Sequence, residues 1–200
     1  VIYPLYFFKN GDKRLQQWRK LEKQQYLSKK DVEALQLKSL QEIVKYAYEH
    51  TKYYRRIMNE RGLTGDCIQS LTDIEKLPLL TKQIIQEHSD ELLSDEYHKS
   101  DLFKDASGGS TGQPTIYYKD YLRHNMRRAD QIRHDGWTGW KVGDRSALIW
   151  GAQRDLKAVQ SFKEHIISRY IARHWELDAF EMTAAKMDHF VVELETMKPT

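Results

Sequence analysis

The chain is predicted to be an α/β protein, helical in its first half and alternating between strands and helices in its second. Three observations predict this. No glycine or proline interrupts Ser28 to Arg61, and apolar residues recur there at roughly helical spacing. After Ser100 the texture changes, with β-branched and aromatic runs flanking a small-residue loop. Further on, Ser146-Ala147-Leu148-Ile149-Trp150 is nearly all apolar, which suits a strand covered on both faces. The organisation is therefore read as a helical segment over 1–100 and the start of an α/β domain over 101–200.

The elements follow in order. Val1 to Phe8 is apolar but short, holds Pro4 and lacks a basic start, so it reads as a segment packed on the body of the protein. Ser28-Lys29-Lys30-Asp31 has the form of an N-cap followed by an acidic residue. Val32, Leu35, Leu40, Ile43, Val44, Ala47 and Tyr48 are expected to share the buried face of the ensuing helix. Thr51-Lys52 marks a possible break into two helices, and Gly62 a terminus. Ser70 to Leu77 predicts a short helix stopped by Pro78, and Thr81 caps another through Ile84, Ile85 and His88. Leu102 to Ala106 and Pro114 to Tyr118 read as strands, with a helix over 121–134 after them. A strand over 145–151, a helix over 156–173 and a helix capped by Thr183 complete the series. In the last helix Met187, Phe190, Val191 and Leu194 are expected to share a face.

Bulk properties narrow the function classes. A 40% hydrophobic, 30% charged chain is too apolar for a disordered protein. Net charge is only +3, with both signs interleaved, which calls for neither nucleic acid nor an anionic membrane. One cysteine, Cys67, rules out an internal disulfide framework and a thiolate cluster, and makes a reducing, cytoplasmic setting the simplest reading. No apolar run approaches the ~20 residues of a membrane span. The start at Val1, and the stop just after a helical stretch, predict a piece of a longer chain.

The informative segment is Ser107-Gly108-Gly109-Ser110-Thr111-Gly112-Gln113-Pro114-Thr115. Its glycines let the backbone come close to a ligand, and successive N–H groups in such a turn can form an anion nest. Ser107, Ser110 and Thr111 add hydroxyl donors, and no acidic residue intrudes, so polyphosphate is a natural guest. The loop is not a P-loop, which needs Lys-Ser/Thr where Gln113-Pro114 stand. Nor is it a dinucleotide fingerprint, which needs another glycine spacing and a helix directly after it.

Residues Ser107 to Pro114 fit every position of the phosphate-binding signature of the adenylate-forming superfamily, and the chain resembles that superfamily. The flanks are similar to its phenylacetate–coenzyme A ligase and CapK-type branch. They carry Gln36 to Leu40, Tyr46-Ala47, Tyr53-Tyr54-Arg55, Gly62-Leu63, the run Ser70 to Lys82, Trp150-Gly151 and Lys198-Pro199. The resemblance covers nearly everything from Ser28 onward. It implies the acyl-CoA synthetase-like fold, with 1–100 as the helical N-terminal part of the adenylation domain and 101–200 as its first strands, loop and helices. It also implies an ATP-dependent, AMP-forming ligase of a carboxylic acid, with Mg²⁺ and, as one acceptor, coenzyme A. Ser107, Gly108, Gly109, Ser110, Thr111 and Gly112 would bind the nucleotide's phosphates. Two departures stand out: Lys52 where relatives often have proline, and no lysine in the loop. The superfamily's acidic motif, ribose-binding aspartate and terminal lysine have no counterpart in these residues, so no catalytic residue is assigned and this stretch alone is expected to be inactive. A non-catalytic CapK-type protein that keeps the fold is the alternative.

Other constellations are weaker. Lys82 reads as a solvated first-turn lysine. None of the eight histidines has metal-ligand spacing, and no metal site is expected. Cys67 lacks a partner that would activate it. The basic aromatic stretch Lys45 to Arg56 resembles a nucleic-acid stacking surface in composition, but Glu42, Glu49 and Glu60 break its field. Trp137, Trp140 and Trp150 read as core. The sequence sets no oligomeric state.

Overall fold

The computed structural model describes Lys9, residues 11–107, 114–150, 166–179 and 182–199. By its contacts the chain divides into two units, Lys20–Arg127 and a second made of Val1–Arg19 with Arg128–Thr200. Helix α1 (Arg14–Gln24) comes first; sequence reading had begun its helices only at Ser28.

The unit Lys20–Arg127 is organised around a broken helix. Helix α2 (Lys29–His50) starts where the Ser28 hydroxyl accepts the Asp31 N–H, and that hydroxyl donates to the Asp31 carboxylate at 2.6 Å. Thr51 then leaves helical geometry at φ −126° and serves both sides of the break. Its hydroxyl donates to the Ala47 carbonyl at 2.7 Å and accepts the Tyr54 N–H of helix α3 (Lys52–Asn59) at 3.3 Å. One side chain thus satisfies backbone groups of two helix ends. Gly62, at φ +68°, takes the left-handed turn that follows.

The core of this unit is Val44, Met58 and Ile68, with Leu37, Leu40, Tyr48, Tyr54, Leu63, Cys67 and Leu77 against it. The expected face of α2 is only partly right. Val44, Leu40 and Tyr48 contribute, but Val32, Leu35 and Ile43 are exposed and Leu37 packs instead. A helix of 22 residues needs cover along its whole length for an apolar stripe to stay dry, and the packing elements gather on its second half. Gly65 permits the closest approach: a Cβ there would lie 3.2 Å from the Lys45 Cα. Leu71–Lys76 is the predicted short helix, wound as a 3₁₀ turn, and Thr81 caps helix α4 (Lys82–Glu87) as expected. Strands β1 (Phe103–Ala106) and β2 (Ile116–Lys119) pair antiparallel. Helix α5 (Tyr121–Trp137) follows, entered through Asp120, whose carboxylate accepts the Arg123 N–H at 2.7 Å.

The second unit holds a parallel pair, β3 (Ser146–Trp150) and β4 (His174–Asp178), in register from Ser146 opposite His174 to Trp150 opposite Asp178. Sequence reading missed β4, although Trp175 and Leu177 alternate with Glu176 and Asp178 in the period of a strand. It had run a helix through Arg173; residues 151–165 of that helix lie outside the described residues. The described end, Ile167–Ala172, is a π-helical turn closed by Arg173 at φ +54°. The apolar run of strand β3 suits a sheet covered on both faces, and in this stretch alone it is expected to expose apolar surface: Leu148, Ile149 and Trp150 are 38%, 49% and 47% exposed. Among the described residues its sheet has two strands, too few to bury both faces. Trp137, at 63% exposed, departs from its expected place in the core. Helix α6 (Ala184–Met197) is capped by Thr183 as predicted, but buries Phe190 and Met197, leaving Met187 and Val191 exposed.

At the head of the parallel pair, Ser146 Oγ and His174 Nδ1 share a 2.9 Å hydrogen bond, and His174 Nε2 lies 3.7 Å from Glu176. This is not the geometry of a nucleophilic triad, since the carboxylate is beyond hydrogen-bond reach. It is a clasp across the strands. Burial lowers the His174 pKa despite the favourable charges of Glu176 and Asp135, with Arg128 adding to the lowering.

Two outcomes are expected. Met58→Ala should destabilise the fold by about 2–5 kcal/mol, because it empties a fully buried site; urea unfolding checks this. The unfolded chain binds a proton at His174 more readily than the folded one. Stability is therefore full above the ordinary histidine pKa of about 6.5 and falls as pH drops through it. Melting temperatures between pH 7.5 and 5 should decline, with a shallower slope in His174→Asn.

Candidate functional site

The β1–β2 hairpin carries the glycine-rich loop. Its register pairs Phe103 with Lys119 and Ala106 with Ile116, so one further step brings Ser107 opposite Thr115. The Ser107 N–H donates to the Thr115 carbonyl at 2.9 Å. The Thr115 N–H donates to the Ser107 hydroxyl oxygen at 3.0 Å. A side chain has taken over one bond of the ladder, so regular pairing ends at this rung and the chain is held closed as the loop begins.

Of the residues predicted to bind phosphate, Ser107 is thereby placed at the neck. Gly108, Gly109, Ser110, Thr111 and Gly112 lie outside the described residues. The Ser107 oxygen is used as an acceptor for Thr115, which leaves its own O–H as a donor.

Strand alternation puts Phe103, Asp105 and Ser107 on one face with Lys119, Tyr117 and Thr115. On that face Asp105 accepts from the Tyr117 hydroxyl at 3.2 Å and from the Lys119 ammonium, which also lies 5.6 Å from the Tyr117 ring centre. Lys119, with the Ala106 N–H, holds the Asp105 pKa down to about 2. A neutralised ion pair therefore sits on the same face of the hairpin as Ser107 and Thr115. Thr115 itself is 6% exposed, and its hydroxyl is buried with no hydrogen-bond partner among the described residues. In the sequence Thr115 reads both as the loop's last residue and as part of the returning strand. The alternation of Thr115, Tyr117 and Lys119 was the signal that places it on the polar face.

The other candidates resolve into structural roles. Lys82 is exposed in the first turn of α4, as expected. In the basic aromatic stretch, the Tyr46 hydroxyl meets Ser94 and Glu96, and the Tyr48 hydroxyl meets Asn59. Tyr53 is buried, while Arg56 pairs with Glu91 and Glu60. A surface whose rings and cations are engaged internally offers no stacking platform for bases. Among the described residues, no three His, Cys, Asp or Glu side chains converge as a metal site. The second unit has a hollow of about 460 Å³ lined by Arg145, Arg169 and Arg173. These bond the Met197 carbonyl, Glu193 and the Gly143 carbonyl, respectively. No described helix is long and apolar enough to cross a membrane.

No protein-family profile matches the chain. It is 30% identical to a phenylacetate–coenzyme A ligase of Thermus thermophilus over 171 residues, 86% of this chain and 36% of that protein. A phenylacetate–coenzyme A ligase of Aromatoleum evansii is 30% identical over 62% of this chain and 28% of its own length. Protein CapK of Staphylococcus aureus is 30% identical over 44% and 19%. The fold is that of 2-hydroxyisobutyryl-CoA ligase, whose crystal structure in the postadenylation state with 2-HIB-AMP superposes at a TM-score of 0.57 and 20% identity, covering 86% of this chain and 36% of that one. The chain thus spans about a third, or less, of the length of these proteins. By sequence it is a relative of the phenylacetate–coenzyme A ligase and CapK proteins, with the fold of the adenylate-forming CoA ligases.

Proposed function

We propose that this chain is part of an ATP-dependent, AMP-forming ligase that activates a carboxylic acid as an acyl-adenylate, with coenzyme A as the following acceptor. The observation that carries this reading is the Ser107–Thr115 neck, which closes a loop fitting the superfamily's phosphate signature at every position. In the reaction a carboxylate oxygen attacks the α-phosphorus. The bond from that phosphorus to the bridging oxygen breaks, and pyrophosphate leaves with the electron pair. Charge accumulates on the leaving diphosphate, where donors already in position stabilise it at little reorganisation cost.

In this reading Ser107 holds the loop's base, and Gly108 to Gly112 present backbone N–H groups with the Ser110 and Thr111 hydroxyls to the β- and γ-phosphates. Among the described residues no three His, Cys, Asp or Glu side chains converge, so no residue is assigned to Mg²⁺ and no step is routed through it. Both the helical segment over 1–100 and the strands and helices over 101–200 belong to one adenylation domain in this proposal. ATP chemistry and the lone cysteine favour the cytoplasm. A second reading, a non-catalytic polysaccharide-locus protein, is favoured only by the similarity to CapK.

In the full-length protein, Gly109→Ala with Thr111→Ala should cut ATP–pyrophosphate exchange by about 100-fold or more, with thermal stability nearly unchanged. Unchanged exchange in a stable double variant would overturn the assignment. Expressed alone, residues 1–200 should release no AMP from ATP and should melt at low temperature, given the half-exposed Leu148, Ile149 and Trp150. Robust turnover by that piece would contradict the proposal.

A further inference from the structure

The hollow of about 460 Å³ lies wholly within the second unit and has the volume of a small-molecule site. Three arginines reach it, and the one carboxylate on its wall is that of Glu193. Arg169 takes this carboxylate at 2.5 Å and lies 6.0 Å from the Trp175 ring centre. Arg145 and Arg173 have no carboxylate partner among the described residues. Each directs one Nη1–H at a carbonyl, of Met197 at 2.6 Å and of Gly143 at 3.0 Å. A carbonyl orients a guanidinium without neutralising it, and a guanidinium has five N–H donors. Two positive charges are thus fixed at the hollow with donors to spare.

The backbone of Arg173 adds an independent observation. It closes the π-helical turn Ile167–Ala172 at φ +54° and ψ +39°, in the left-handed region. Glycine adopts that conformation without steric cost, and an arginine does not. Side chains kept on such backbone gather at binding sites. Capping the last carbonyls of α6 accounts for one bond of Arg145, but not for charge gathered about a hollow that Tyr170 and Trp175 also line. With Glu193 held by Arg169, and the Thr196 hydroxyl donating to the Val192 carbonyl at 2.8 Å, the walls offer neither base nor nucleophile. The hollow is built to bind and not to react.

We propose that it is a binding site for a small dianion of the phosphate-monoester class that carries a planar ring. Arg145 and Arg173 take the phosphate oxygens, and the ring lies against Tyr170 and Trp175. Two uncompensated guanidinium groups match the charge of a phosphate monoester, and their forked donors match its geometry. This inference does not depend on the reading of the glycine-rich loop.

Arg173→Gly tests it, because glycine suits the backbone there and removes only the guanidinium. In the full-length protein, titration calorimetry with EDTA present should show phenyl phosphate binding more tightly than inorganic phosphate. Arg173→Gly should lose about tenfold or more of the affinity for phenyl phosphate. It should melt within about 3 °C of the parent. Tyr170→Ala should weaken phenyl phosphate and leave inorganic phosphate unchanged, which separates the ring from the charge. Equal affinity for phenyl phosphate in the parent and in Arg173→Gly would overturn the proposal, because the anion would then sit elsewhere on the protein. A parent that binds neither probe would overturn it as well. So would a large loss of stability in Arg173→Gly, since the arginine would then be serving the fold.

Discussion

Two hydrogen bonds between Ser107 and Thr115 govern how the rest of the site can be built. A glycine-rich sequence has many backbone conformations open to it, and fixing the two ends of such a stretch lowers the number it can take. The clasp does this where the β1–β2 ladder would otherwise continue into the loop or fray. Because the Ser107 side chain replaces its own carbonyl as the acceptor, the strands stop at a defined rung and the loop starts from a defined one. An alanine at 107 would leave the Thr115 N–H to find another partner.

The hairpin beneath is organised to the same end. Asp105, Tyr117 and Lys119 form a closed polar cluster on the clasp's face, with opposite charges paired. Holding Asp105 against a lysine cancels its field at short range. In the same unit, Thr51 performs a comparable economy for the helices by serving two termini with one hydroxyl.

The two units bury their surfaces unequally. Lys20–Arg127 has a contiguous core about Met58 and Ile68, while the strand pair of the other unit leaves Leu148 to Trp150 half in solvent. Parallel strands belong in sheets covered on both sides. The fold relative, of which this chain spans 36%, is a larger protein.

The sequence by itself determined what local chemistry controls. Caps at Ser28, Thr81 and Thr183, the break at Thr51 and the stop before Pro78 were legible because each is a contact within a few residues. The Ser107–Thr115 neck joins the ends of the two strands read on either side of the loop, and those strands were legible because each strand's composition is local. What only tertiary structure decided is which apolar residues find cover. Val32, Leu35 and Ile43 have the right period for a buried stripe, yet burial needs a partner surface, and that surface meets Leu37, Leu40 and Val44. Strand β4 has the alternation of a strand, but its partner β3, 28 residues away in register, is set only by the fold. Thr115 is the sharpest case. Its place in the chain is plain from the sequence, but the burial of its hydroxyl without a partner among the described residues is a property of the space around it, which folding alone creates.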